Sequence, residues 1–244
     1  LVSKINYSDF SRFSRGSLPI YNKYILDPLA RIISIPIINY TSFSPITVTF
    51  IGFLFSSVSA FLFLSGDVLV GAIIFQISVV FDLIDGNIAR IKKNGTAFGI
   101  LFDGYVDLFR ITINVVALIF LNIGNNTIII LLISFLYLNT SEFHISSLFS
   151  KVEDFLSKKN FIVLNRVEIT LLNIAKKLEM YGIRFIFLSY HERIFCVLFL
   201  GPVLDNMKLW TIIGIVLTLI SIHLRMVFDL AMIKEKINRT HAPN

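Results

Sequence analysis

The stretch DLIDGNIARIKKNGTAFGILFDGYVDLFRI, residues 82–111, sets Asp82, Asp85, Asp103 and Asp107 among apolar residues. At about 100° per residue, Asp82, Asp85, Gly86 and Ala89 share one face of a first helix, with Arg90 just beyond. Gly99, Asp103 and Asp107 follow at successive i+4 steps on one face of a second. The basic, glycine-containing turn KKNGT (92–96) joins them, so the two helices are expected to be antiparallel neighbours whose acidic faces meet.

The chain around this stretch is strongly apolar. Hydrophobic residues make up 55% of its 244 and charged residues 16%, with a mean hydropathy of +0.79. That is more apolar matter than a soluble domain hides inside itself. Apolar runs long enough to cross a bilayer core of about 30 Å as helices lie near residues 46–64, 68–90, 97–121, 126–149, 190–205 and 207–232. Unbroken runs such as TIIILLISFLYL (127–138) lack the period-2 alternation of a barrel strand. The expected fold is therefore an all-α integral membrane protein with six transmembrane helices.

Ahead of the first span, residues 20–40 mix apolar side chains with Lys23, Asp27 and Arg31 and are interrupted by Pro28 and Pro36. They are expected to form an amphipathic helix at the membrane interface, with an ordinary segment packed on the bundle as the plainer reading. Residues 1–40 are thus a cytoplasmic arm and interfacial helix, 41–233 the transmembrane domain with a cytoplasmic extension over 150–189, and 234–244 a tail. No cleavable signal peptide is expected, so insertion rests on the spans themselves. No internal repeat is evident, which weighs against inverted-repeat transporters. Cys196, the single cysteine, excludes a disulfide within the chain and reads as a small core residue.

The formal charge of +6 follows from topology. If the spans alternate, all of the 22 lysines and arginines except Lys208, Arg110 and Arg225 fall on one side, which the positive-inside rule makes cytoplasmic, along with both termini and the acidic cluster. Nucleic acid is then an unnecessary partner.

A carboxylate at the bilayer centre costs on the order of 2.5–3.5 kcal/mol, so four of them without compensation cost about 10 kcal/mol. Divalent metal is the obvious relief, and oxygen-only ligands favour hard cations such as Mg²⁺, Mn²⁺ or Ca²⁺ over zinc. Four carboxylates suffice for two ions, an arrangement that activates an attacking oxygen and steadies a phosphate at once. Gly86, Ala89 and Gly99 leave backbone exposed on the same faces, for close helix packing or for a flat ligand. Arg90 suits either a snorkelling cap or a phosphate clamp.

The spacing D-x2-D-G-x2-A-R-x8-G-x3-D-x3-D, filled by Asp82, Asp85, Gly86, Ala89, Arg90, Gly99, Asp103 and Asp107, resembles without a mismatch the signature of the CDP-alcohol phosphotransferase family. A weaker resemblance lies in SFSPITVTFIG (42–52), where Pro45, Val48 and Thr49 match the start of the family's first helix and Ile46 stands where asparagine is usual. The resemblance implies a membrane enzyme of about six helices, often a homodimer, that splits a CDP-linked donor, releases CMP and joins the remaining phosphoryl group to an alcohol. It implies that Asp82, Asp85, Asp103 and Asp107 hold Mg²⁺ or Mn²⁺, in two sites, and that Asp107 is the general base. By the same resemblance Thr49, Asp82, Gly86, Ala89, Arg90 and Gly99 contact the nucleotide. Arg110 and Arg193 are candidates for the acceptor, in a family whose members that accept phosphorylated alcohols need such cations near the metals.

The favoured donor is CDP-diacylglycerol. A CDP-choline or CDP-ethanolamine donor acting on diacylglycerol is the alternative, for which NKYILDPL (22–29) is the faint cue. A divalent-cation transporter would use the same carboxylates, but it predicts acidic residues spread through the membrane rather than gathered at one end.

Overall fold

The computed structural model describes residues 5–7, 10, 18–156, 164–181, 183 and 190–240, and for 142–156, 190 and 240 the backbone alone. Residues 157–163, 182 and 184–189 of the expected 150–189 extension, and residues 241–244 of the tail, lie outside these residues. Among them the fold is all-helical, with no strand beyond one isolated bridge between Leu18 and Ile183.

A π-helical turn, Asn22–Leu26, runs into α1 (Asp27–Tyr40). Helices α2 (Pro45–Ser65), α3 (Val68–Lys92) and α4 (Ala97–Leu121) come next, and α2 packs against both α3 and α4. Helices α3 and α4, expected from the sequence to be direct neighbours, barely touch each other. Helices α5 (Asn126–Leu156) and α6 (Arg166–Met180) follow. Then α7 (Tyr190–Phe195), a π-helical Cys196–Leu200 and α8 (Gly201–Val203) make one short stretch before the long α9 (Met207–Thr240). Helices α2, α3, α4 and α9 are each long and apolar enough to cross a membrane. The sequence reading expected six crossings. The other two candidates are shorter here: the described apolar part of α5 is Asn126–Ser141, and Tyr190–Val203 spans about 20 Å at 1.5 Å per residue.

The boundaries have local causes. Pro45 occupies the first turn of α2, and Ser44 Oγ accepts from Thr47 N at 3.1 Å. Thr96 caps α4 in the same way, its Oγ1 accepting from Gly99 N at 2.9 Å. The turn between α2 and α3 needs a positive φ, which Gly66 supplies at 89°.

Small residues let α2 and α3 approach closely. A Cβ on Gly52 would lie 3.0 Å from Phe81 Cβ, and one on Gly71 would lie 2.9 Å from the Phe63 ring. Helix α4 is tied to α2 by a buried polar knot in which Asn114 Nδ2 donates to Ser56 Oγ at 2.8 Å and Asn114 Oδ1 lies 2.8 Å from Ser59 Oγ. Satisfied pairs of this kind are what polar groups require at membrane depth. The core around Phe63, Phe75, Ile84, Leu118 and Phe135 is fully buried.

Helix α1 packs on α3 through Ala30 and Ser34, with Asn87 Nδ2 donating to Ser34 Oγ at 3.3 Å, and Leu26 of the preceding π-helical turn is buried as well. Tyr24 and Ile25 of the turn and Leu29 and Ile32 of α1 are left exposed. Pro36 sits inside the helix rather than ending it.

Candidate active site

The start of α2, the end of α3 and the start of α4 enclose a cleft of about 660 Å³. Helix α2 supplies Ser44 at its cap, Pro45, Ile46 and Thr49; α3 supplies Asp82, Asp85, Gly86, Ala89 and Arg90. The connecting turn adds Asn94, Gly95 and Thr96, and α4 adds Gly99, Ile100, Asp103 and Asp107. His191 of α7 completes the wall. All eight residues of the long motif therefore face one space, with the acidic faces of α3 and α4 meeting across the cleft rather than packing directly, since both helices are held by α2.

Each carboxylate has its own setting. Asp82 and Asp85 are buried, while Asp103 and Asp107 are half-buried. Thr49 Oγ1 donates to Asp85 Oδ2 at 2.6 Å and so anchors it from α2. Arg110, one turn beyond Asp107 on α4, is buried, and its Nη1 lies 2.8 Å from Asp107 Oδ1 and 3.0 Å from Asp82 Oδ1. His191 Nε2 lies 3.8 Å from Asp82 Oδ2. Arg90 is turned by Asn87, whose Oδ1 accepts from Arg90 Nη2 at 2.6 Å. Lys92 Nζ reaches back to Phe43 O at 3.1 Å, pinning the α3–α4 turn to the strand of chain that precedes α2.

Asp82, Asp85 and Asp103 each bring one oxygen to within 4.8 Å of the others. An all-oxygen, multiply anionic set of this size fits a hard divalent cation. At the end of the cleft nearest the α3–α4 turn, Gly99 packs beside Ile46: a Cβ there would meet Thr96 Oγ1 at 3.1 Å and Ile46 Cγ1 at 3.7 Å.

Two arginines named from the sequence as acceptor candidates are not among the described residues lining the cleft. Arg110 lies behind its wall, engaged with two carboxylates, and Arg193 is completely buried. The sequence reading did not foresee that Arg110 would offset part of the acidic charge, although its i+3 spacing from Asp107 was the available signal. Of the SYHERIF residues (189–195) that the sequence offers near the acceptor, His191, Glu192 and Arg193, His191 is the one that lines the cleft. Its contact with Asp82 joins residues 109 apart in the chain, which no local pattern in the sequence shows.

A family model for CDP-alcohol phosphatidyltransferase matches residues 43–233. The chain belongs to the CDP-alcohol phosphatidyltransferase family. Among solved structures, it is similar to the phosphatidylinositol phosphate synthase PgsA1 of Mycobacterium tuberculosis with CDP-DAG bound, at 21% identity and a TM-score of 0.52, covering 84% of this chain and 93% of that one. The same synthase in complex with manganese and citrate gives 21% identity and a TM-score of 0.52, covering 84% and 89%. A comparison with curated proteins gives no match.

Proposed function

We propose that this member of the CDP-alcohol phosphatidyltransferase family transfers a phosphatidyl group from CDP-diacylglycerol to a polar alcohol, with release of CMP and dependence on Mg²⁺ or Mn²⁺. The observation that carries the reading is the convergence of Asp82, Asp85, Gly86, Ala89, Arg90, Gly99, Asp103 and Asp107 on one cleft. The shared fold of a synthase with CDP-DAG bound supports this donor over a CDP-aminoalcohol, and its complex with manganese supports the cation.

Asp82, Asp85 and Asp103, with Asp107, would hold the cations, which supply charge neutralisation on the donor's pyrophosphate. Thr49 and Arg110 keep these carboxylates in place before substrate arrives. Gly86, Ala89 and Gly99 leave room for the nucleotide, and Arg90 on the same wall reaches its phosphates. The alcohol oxygen attacks the phosphorus that bears the diacylglycerol, the bond to CMP breaks, and the hydroxyl proton passes to Asp107. Arg110 holds Oδ1 of Asp107, which orients the carboxylate toward the cleft as base.

The enzyme is set in a membrane with α5 and the Tyr190–Val203 stretch completing six crossings. The cleft and both termini face the cytoplasm, where the lysines and arginines concentrate. Helix α1 and the turn before it lie at the interface, with the exposed Tyr24, Ile25, Leu29 and Ile32 toward lipid.

The test is CMP release by the purified chain in detergent with Mn²⁺. CDP-diacylglycerol plus glycerol phosphate, inositol phosphate or serine is compared with CDP-choline or CDP-ethanolamine plus diacylglycerol. Release from the first set, lost in Asp107→Asn, is the expected result. Release from the second set alone moves the chain to the other branch, and release from neither overturns the reading.

A further inference from the structure

Among the described residues lining the cleft, His191 is the one that comes from beyond Asp107 in the chain. It is held there by a clasp. Asn22, itself buried, places Nδ2 at 3.2 Å from His191 Nδ1. Tyr21 N donates to Glu192 Oε1 at 3.0 Å, and the Tyr21 ring packs on Phe195 with centroids 4.7 Å apart. Tyr21 OH donates to Gln76 Oε1 on α3 at 2.9 Å, so the clasp is anchored to the helix that carries Asp82. With Nδ1 engaged by Asn22, Nε2 is the ring nitrogen on the cleft side, 3.8 Å from Asp82 Oδ2. A histidine that only joined two helices would be satisfied by these contacts without standing in the cleft wall.

The order of residues along α3 says which substrate it meets. Gly86, Ala89 and Arg90 lie one to two turns from Asp82 toward the α3–α4 turn, and Asn94, Gly95 and Thr96 close that end of the cleft. His191 stands at the opposite, Asp82 end. Arg110, which holds Asp107, is close by, since His191 and Arg110 line the same small cavity behind the wall. An oxygen within reach of Asp107 therefore arrives at the His191 end.

We propose that His191 binds the acceptor alcohol through Nε2 and that Asn22 is its positioning residue, so that the N-terminal segment helps to select the acceptor. This rests on the transferase reading above. The donor's nucleotide, at the other end, is outside its reach.

The experiment uses the full chain in detergent with Mn²⁺ and CDP-diacylglycerol, and whichever of glycerol phosphate, inositol phosphate and serine yields CMP. In His191→Ala the acceptor KM is expected to rise about tenfold, as for one lost hydrogen bond, with little change in kcat or in the KM for CDP-diacylglycerol. His191→Gln, which keeps a donor and an acceptor near the Nε2 position, should recover most of the loss. Asn22→Leu should raise the same KM by a smaller factor. An unchanged acceptor KM in His191→Ala overturns the proposal, as does an equal rise for CDP-diacylglycerol or a failure of glutamine to rescue. Absence of CMP release by the unaltered chain is a different failure, that of the transferase reading itself.

Discussion

Among the described residues, the acidic groups of the cleft and those at the junction of α6 and α9 are built on opposite plans. At the junction of α6 and α9 each glutamate is matched by cations: Lys234 Nζ lies 2.6 Å from Glu168 Oε1, and Glu235 Oε1 has Lys176 Nζ at 2.9 Å and Arg239 Nη2 at 2.6 Å. In the cleft, Arg110 bridges Asp82 and Asp107, while Asp82, Asp85 and Asp103 still crowd three oxygens within 4.8 Å. A balanced cluster ties helices together. A cluster left with surplus negative charge is unfavourable in isolation and is arranged to receive cations.

The sharpest way to break this contrast is to neutralise one group in each cluster. Asp107→Asn keeps shape and removes the proposed base, so CMP release should fall by about 10²–10⁴-fold while CDP-diacylglycerol binding persists. An active Asp107→Asn enzyme would place the base elsewhere. Arg110→Met should be next in size. It leaves two carboxylates without their shared cation, which costs about 3–5 kcal/mol for a buried partner, read as a lower unfolding midpoint in detergent. Added Mn²⁺ should restore part of it, and an unchanged midpoint would mean that Arg110 does not offset this charge.

Metal binding sharpens the comparison further. Asp103→Asn should weaken Mn²⁺ binding by at least about tenfold, measured by the signal of free Mn²⁺ on titration, whereas Glu235→Gln should leave it unchanged. Equal effects of the two substitutions would erase the distinction between the clusters.

The balanced cluster should respond to acid instead. Burial works against ionisation of Glu168, but Lys234 and the Asn165 N–H hold its carboxyl below the usual 4.5. A depressed carboxylate pKa contributes stability that is complete above the unfolded value and is lost as pH falls through the folded one. The unfolding midpoint should therefore decline below pH 4.5, and in Glu168→Gln that decline should be shallower, at a cost of about 1–2 kcal/mol near neutrality. The smallest effect expected is that of Lys176→Ala, whose side chain is 55% exposed; exposed pairs contribute roughly 0–1 kcal/mol.

Legibility from sequence divided along the same line. The starts of α2 and α4 were readable from the apolar runs that begin near 46 and 97, and the caps that fix them, Ser44 and Thr96, act on backbone groups three residues away. The acidic faces were readable for the same reason: Asp82 and Asp85, or Asp103 and Asp107, are neighbours on one helix. The Thr49–Asp85 hydrogen bond, the Arg110 bridge to Asp82 and the Asn22–His191 contact were not, because each joins residues far apart in the chain. The π-helical turns at Asn22–Leu26 and Cys196–Leu200 also left no mark in the apolar pattern.

The sequence by itself determined an apolar helical chain and the in-phase placement of four aspartates, three small residues and an arginine across one hairpin, since helical period and turn chemistry are local. Only the tertiary structure decided which side chains close the cleft, that Arg110 lies behind it rather than in it, and that Tyr21 and Asn22 bring α7 to its edge. Those outcomes depend on how surfaces distant in the chain pack together, and packing of that kind has no period to read.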